Sequence, residues 1–316
     1  MLRIKEYCER VRDDAYGGSL ELVQDGMIAM KNELVCENLL SVEQMAAVLE
    51  GYVDNILNVC SAILPLINML DKVMSFSENI VEEKIEINEA IDAFYRLVDN
   101  LQKEQDTYTE RIGRIGANLI ADGDKVGTFS TSGTVMSILK QAVSSGKKIT
   151  AAAFEARPHN EGYRTLVEIS DMGIPVTFGV DALLCCLVPG SNIFIIGADA
   201  ITSIGQVFAK TGSYCAALVC RQFGIPFYVA ADTGKLDRLS LLGYPLKSSE
   251  RPYQEVSDIK PPDNSKMVNI SFELVPPDLI RGIITEKGIV APQSISVMME
   301  PDCMSQKMIE KIKKWL

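Results

Sequence analysis

The sequence predicts an α/β protein in which an N-terminal helical domain precedes a parallel sheet covered by helices on both faces. Two observations carry this. Residues 1–121 show apolar residues at helical spacing and little else. From Lys125 onward, short apolar runs alternate with helical stretches, the pattern of strand–helix–strand units. The break is Ala121-Asp-Gly-Asp124, which places the domain boundary at 123/124, with domains 1–123 and 124–316.

In the first domain Val23, Met27, Met30 and Leu34 share one helix face, and Met45, Val48, Leu49, Val53, Ile56 and Leu57 share another. Ser41-Val-Glu-Gln44 has the form of a capping box. A long run from Ile80 to Ile120 carries an acidic and basic polar face. In the second domain the expected strands are Lys125–Ser130, Lys148–Phe154, Pro175–Val180, Asn192–Gly197, Pro226–Ala231 and Asn269–Val275. The expected helices are 132–145, 162–172, 181–187 and 211–223, then Pro277–Thr285 and an amphipathic closing helix, Asp302–Leu316.

Composition narrows the function. A net charge of −11 disfavours direct nucleic-acid binding, which needs a basic face. The eight cysteines form no CxxC pair or zinc spacing and read mostly as buried thiols of a reducing cytosol. One histidine, His159, rules out a His-rich metal site, and it reads as a solvated loop residue. No apolar run reaches the length of a membrane span, and the N-terminus lacks the apolar core of a signal peptide. We therefore expect a cytoplasmic protein without metal, cofactor or membrane.

Three loops at strand ends carry the candidate chemistry. The first, Ser130-Thr131-Ser132-Gly133-Thr134, joins a strand to a helix and offers hydroxyls and backbone N–H groups to an anion. An ordinary helix cap would use the same residues. The second, Glu155-Ala-Arg157-Pro-His159-Asn160-Glu-Gly162, supplies Arg157, a natural ligand of phosphate or carboxylate and equally a partner for a surface ion pair. The third follows the apolar run Ile193–Ile196 with Asp199, and Lys210-Thr-Gly212 opens the next helical run. Asp199 stands where open α/β sheets bind ligands, so it can serve as an acid or base, or simply cap a turn. Together the loops suit a phosphorylated small molecule, with Thr131, Ser132, Gly133, Thr134, Arg157, Lys210 and Gly212 as its expected contacts.

These residues also carry a resemblance. Glu155-Ala-Arg157-Pro, Gly197-Ala-Asp199-Ala-Ile-Thr, Lys210-Thr-Gly212, Ile225-Pro-Phe-Tyr-Val229 and Phe272-Glu-Leu-Val-Pro-Pro-Asp-Leu-Ile280, running on to Gly288, occur in that order. From about Lys125 to Asp232, and again at Phe272–Gly288, the chain resembles one superfamily. It unites methylthioribose-1-phosphate isomerase, archaeal ribose-1,5-bisphosphate isomerase and the alpha, beta and delta subunits of translation initiation factor 2B. The resemblance implies a Rossmann-like second domain and homo-oligomers built through it, dimers or hexamers.

The resemblance assigns Asp199 the isomerases' catalytic aspartate, and gives Arg157 and Lys210 contact with phosphate. Two departures stand out. The isomerases carry a catalytic Cys in the first loop, where this chain has Ser130. A hydroxyl is a far weaker acid than a thiol, so a simple swap slows proton transfer severely; Ser130 itself, another side chain or a water would serve as the partner of Asp199. Their N-terminal Arg-Gly-Ala motif has as its nearest counterpart Gly17-Gly18-Ser19, without the Arg. Two functions follow: an aldose–ketose isomerase of a phosphorylated pentose, or a non-catalytic regulatory subunit that senses a sugar phosphate or nucleotide.

Overall fold

The computed structural model describes residues 2–12, 19–59, 64–246, 248, 250–299 and 304–314. They form two compact units, Met1–Thr107 with Glu300–Leu316, and Tyr108–Met299. The division falls inside a long helix rather than at the Ala121–Asp124 break.

The first unit is helical: α1 (Ile4–Arg12), α2 (Ser19–Leu34), α3 (Val42–Leu57), α4 (Leu64–Glu82) and the first part of α5 (Ile87–Ala117). The run expected from Ile80 is thus two helices, parted by a turn at 83–86. The Ser41 side chain accepts from the Gln44 N–H, while Gln44 reaches back to the Leu40 N–H, one residue ahead of the usual capping-box target. Tyr7, Met30, Met45, Leu49, Leu66, Leu70 and Phe94 fill the core. The closing helix α10 (Gln306–Lys313) belongs to this unit, held by Lys311 on Asp54 at 2.6 Å and by the Ser305 N–H on Asp71 at 2.9 Å.

The second unit is built on β1 (Lys125–Gly127), α6 (Gly133–Ser144), β2 (Thr150–Phe154), α7 (Gly162–Asp171), β3 (Val176–Gly179), α8 (Leu184–Leu187) and β4 (Ile193–Gly197). It continues with β5 (Ala200–Thr202), β6 (Val207–Lys210), α9 (Ser213–Phe223), β7 (Phe227–Ala230), β8 (Leu236–Asp237), β9 (Phe272–Val275), β10 (Gly282–Thr285) and β11 (Gly288–Val290). Seven strands make one sheet in the order β11-β10-β7-β4-β1-β2-β3, parallel except for β11. The chain runs outward from β1 to β3, then returns to the other side of β1 at β4. That reversal makes the β1/β4 junction the topological switch point, where ligands of such sheets bind.

Its inner strands β4 and β10 are buried on both faces, which is why they are continuous apolar runs rather than alternating ones. Phe129, Phe154, Phe194 and Phe227 line up across it, with successive ring centroids 6.1, 6.4 and 5.7 Å apart.

Two expectations fail here. Pro277–Thr285 is not a helix. After a short turn, Pro277–Leu279, the chain enters β10, whose four residues are all buried beside β7. Gly282-Ile-Ile-Thr285 is a β-branched run that suits a covered strand. The thiols are also less buried than expected. Cys8 and Cys220 are buried, whereas Cys36, in the turn after α2, and Cys185, Cys186 and Cys215, on the one-turn α8 and the first turn of α9, are exposed. Cys60 and Cys303 lie outside the described residues.

Candidate functional site

The three loops of interest leave the C-terminal ends of β1, β2 and β4, which are neighbours in the sheet. The first begins at Ser130, buried and held at φ 63°, a left-handed conformation that a non-glycine residue adopts only under constraint. The Thr165 hydroxyl provides that constraint, donating to the Ser130 carbonyl at 2.8 Å. Ser132 caps α6, accepting from the Val135 N–H, and lies 2.9 Å from the Thr134 hydroxyl. Thr134 in turn donates to the Ala230 carbonyl at the end of β7. Helix geometry leaves the first-turn N–H groups of α6, at Gly133 and Thr134, without intrahelical partners. The helix dipole adds positive potential there.

The second loop follows β2. Asp181 clamps it, accepting from the N–H groups of Ala156 at 2.9 Å and Arg157 at 2.8 Å. Arg157 is exposed, and its guanidinium reaches the Val256 carbonyl at 2.7 Å. His159 lies 3.4 Å from Glu255, whose carboxyl Arg251 holds below its usual range. The loop ends at Glu161, directly before α7.

The third loop follows β4. A methyl group on Gly197 would fall 2.4 Å from the Ser132 hydroxyl oxygen, so the first and third loops meet here at a position that needs glycine. Asp199 comes two residues later, half-buried, with its N–H on the Phe208 carbonyl at 2.9 Å. Lys235, which the sequence did not single out, donates to the carbonyl of Ala198.

Lys210 is not at a helix start, as its spacing suggested. Asp199 is followed by a hairpin, β5 and β6, which joins β8 and β9 in a second sheet of order β8-β5-β6-β9. Lys210 ends β6, paired in register with Phe272 of β9. Its ammonium lies 4.6 Å from the centre of the Phe272 ring and 2.7 Å from one carboxylate oxygen of Glu161. The Ser130 hydroxyl donates to the other oxygen of Glu161, also at 2.7 Å. Ser130, Glu161 and Lys210, one from each loop region, therefore form a single connected cluster. The Lys210 charge is already neutralised inside the protein. Glu161 was not expected as a site residue; its one sequence signal is an acidic residue just ahead of a helix.

Gly212 is also placed differently from its expected role in binding phosphate. At φ 108° it packs so closely on Phe129 that a methyl group would fall 2.4 Å from that ring. Its N–H donates to Glu273 at 2.7 Å, as does that of Tyr214 at 2.8 Å, so a protein carboxylate already serves the start of α9. Gly17 and Gly18 lie outside the described residues. Among the described residues no group of three or more His, Cys, Asp or Glu is placed to hold a metal ion. Among them, too, no helix is long and apolar enough to cross a membrane.

Comparison with known proteins agrees with this architecture. The model of the initiation factor 2 subunit family matches residues 18–292. The chain is 35% identical to ribose 1,5-bisphosphate isomerase of Methanocaldococcus jannaschii over 192 residues, 60% of this chain and 62% of that protein. It is 38% identical to methylthioribose-1-phosphate isomerase of Thermosipho melanesiensis over 208 residues, 61% of this chain and 60% of that one. The matches thus span about three fifths of these relatives' length. Translation initiation factor eIF-2B of Pyrococcus horikoshii OT3 superposes with a TM-score of 0.73 at 26% identity, covering 92% of this chain and 97% of that one.

Proposed function

The chain belongs to the initiation factor 2 subunit family, and from that premise we propose that it is an aldose–ketose isomerase of a phosphorylated pentose. The observation that carries the reading is Asp199, a half-buried carboxylate at the β1/β4 switch point, beside a loop that offers α6 N–H groups to a phosphate. A phosphate on C1 locks the sugar ring, so the enzyme must open the ring and move a proton between C2 and C1. Asp199 takes one part in that transfer. The named activities of the two isomerase relatives support this class of substrate. The second reading is a non-catalytic subunit that keeps the pocket as a sensor. Ser130 in place of a thiol and the likeness to translation initiation factor eIF-2B favour it.

In the proposed complex the phosphate lies at the first turn of α6 within reach of Arg157. Lys210 serves Glu161 rather than the phosphate. Calorimetry with pentose phosphates is expected to show binding that Arg157→Ala weakens about tenfold or more, the worth of a charge-assisted hydrogen bond. Unchanged affinity in that variant would remove Arg157 from the site.

We also propose a homo-oligomer assembled through the second unit. Tyr214 and Cys215 lie four and three residues before Leu218 on α9, and the three form an exposed, largely apolar face. Light scattering is expected to give a mass at least twice 34.7 kDa. A monomer at micromolar concentration contradicts it.

A further inference from the structure

We infer that Glu161, acting through the Ser130 hydroxyl, is the second proton-transfer carboxylate of this site, the counterpart of Asp199. The inference rests on the isomerase reading and adds to it the group that stands in for an absent thiol.

The chemistry sets the requirement. In the first stage the C1–ring oxygen bond breaks, its electron pair stays with the ring oxygen, and that oxygen takes a proton. C2 loses its proton, and the C–H electron pair becomes the C1=C2 bond of an enol phosphate. In the second stage the C2 hydroxyl gives up its proton and becomes the carbonyl, while C1 takes a proton from the site. Two protons are given and two are taken, with no net oxidation. One carboxylate cannot stand on both sides of such a sequence as readily as two groups that each give once and take once.

Ser130 alone cannot be the second group, because a hydroxyl neither holds nor releases a proton readily. The geometry supplies what it lacks. The Ser130 O–H is committed to Glu161 at 2.7 Å, so its oxygen keeps two lone pairs with which to accept a further proton. A proton arriving on that oxygen can pass on to Glu161 and return by the same route. Lys210 holds the other Glu161 oxygen at 2.7 Å, and the Lys210 side chain is only 9% exposed, so the carboxylate is fixed in direction. The left-handed backbone at Ser130, locked by Thr165, aims the hydroxyl at Glu161. The contact of Ser132 with Gly197 brings this loop against the strand end that carries Asp199.

The test is steady-state kinetics on the sugar phosphate that the wild type turns over. Glu161→Gln keeps the shape and removes the base; kcat is expected to fall about 100-fold or more, with KM within about threefold. Ser130→Ala leaves the Glu161–Lys210 pair intact, so it keeps the fold even if losing Glu161 unpairs Lys210 too severely. Its kcat is expected to fall by a similar factor, and the double variant to be no slower than either single one. Added formate is expected to restore part of the activity of Glu161→Ala in a saturable way, which a purely structural role would not produce. If the wild type is active and Ser130→Ala or Glu161→Gln keeps kcat within about threefold, the inference is overturned and the isomerase reading stands. A wild type that binds pentose phosphates without converting them overturns both.

Discussion

Asp199→Asn is expected to lower kcat about 100- to 10,000-fold and to leave KM and pentose-phosphate affinity within about threefold. The substitution keeps the size and planarity of the side chain and removes its capacity to take a proton. It leaves the backbone untouched, because the Asp199 N–H on the Phe208 carbonyl, which anchors the start of the hairpin, is unaffected. The side chain is half-buried at the C-terminal end of β4, so the loss falls on chemistry more than on folding. Stopped turnover with retained calorimetric binding is the expected pair of results. A fall in binding equal to the fall in kcat/KM would make Asp199 a binding residue instead.

The largest expected effect on stability is at Phe194. Its side chain is fully buried at the centre of the seven-stranded sheet, stacked on Phe227 at 5.7 Å with an interplanar angle of 13° and close to Phe154 at 6.4 Å. Phe194→Ala removes the middle of this aromatic row and leaves a cavity that a parallel sheet, tied on both sides by β1 and β7, cannot close. The expected cost is about 3–5 kcal/mol. For a domain of this size that lowers the unfolding midpoint by roughly 6–20 °C in a thermal melt. Phe194→Leu keeps most of the volume and is expected to lose clearly less. Equal midpoints for wild type and Phe194→Ala would remove the aromatic row from the stabilising core.

Much of this architecture is legible in the chain. Buried parallel strands are continuous apolar runs, so Ile193–Gly197 and Phe227–Ala230 stand out against the helices around them. Loops that follow such strands are the natural place for a site, and Ser130, Arg157 and Asp199 are found there. The second sheet was hidden because β5 and β8 are only three and two residues long, too short for any period to show. That omission also misplaced Lys210, which looks like a helix-start cation until the hairpin is seen. Glu161 was hidden for a different reason. Its role depends on Ser130 and Lys210, 31 and 49 residues away in the chain, and no local pattern encodes such a meeting. Gly212 shows the converse: a glycine in a motif invites a ligand, but here it makes room for Phe129 and its N–H belongs to Glu273.

The central claim is that this site performs an aldose–ketose isomerisation, and turnover by the wild-type protein tests it most directly. Purified protein is incubated with ribose 1,5-bisphosphate and, separately, with methylthioribose 1-phosphate, and the appearance of the ketose carbonyl is followed by carbon NMR. The account predicts conversion of at least one of the two, abolished in Asp199→Asn. Binding of either sugar phosphate with no ketose formed from both would contradict it and leave the site a sensor.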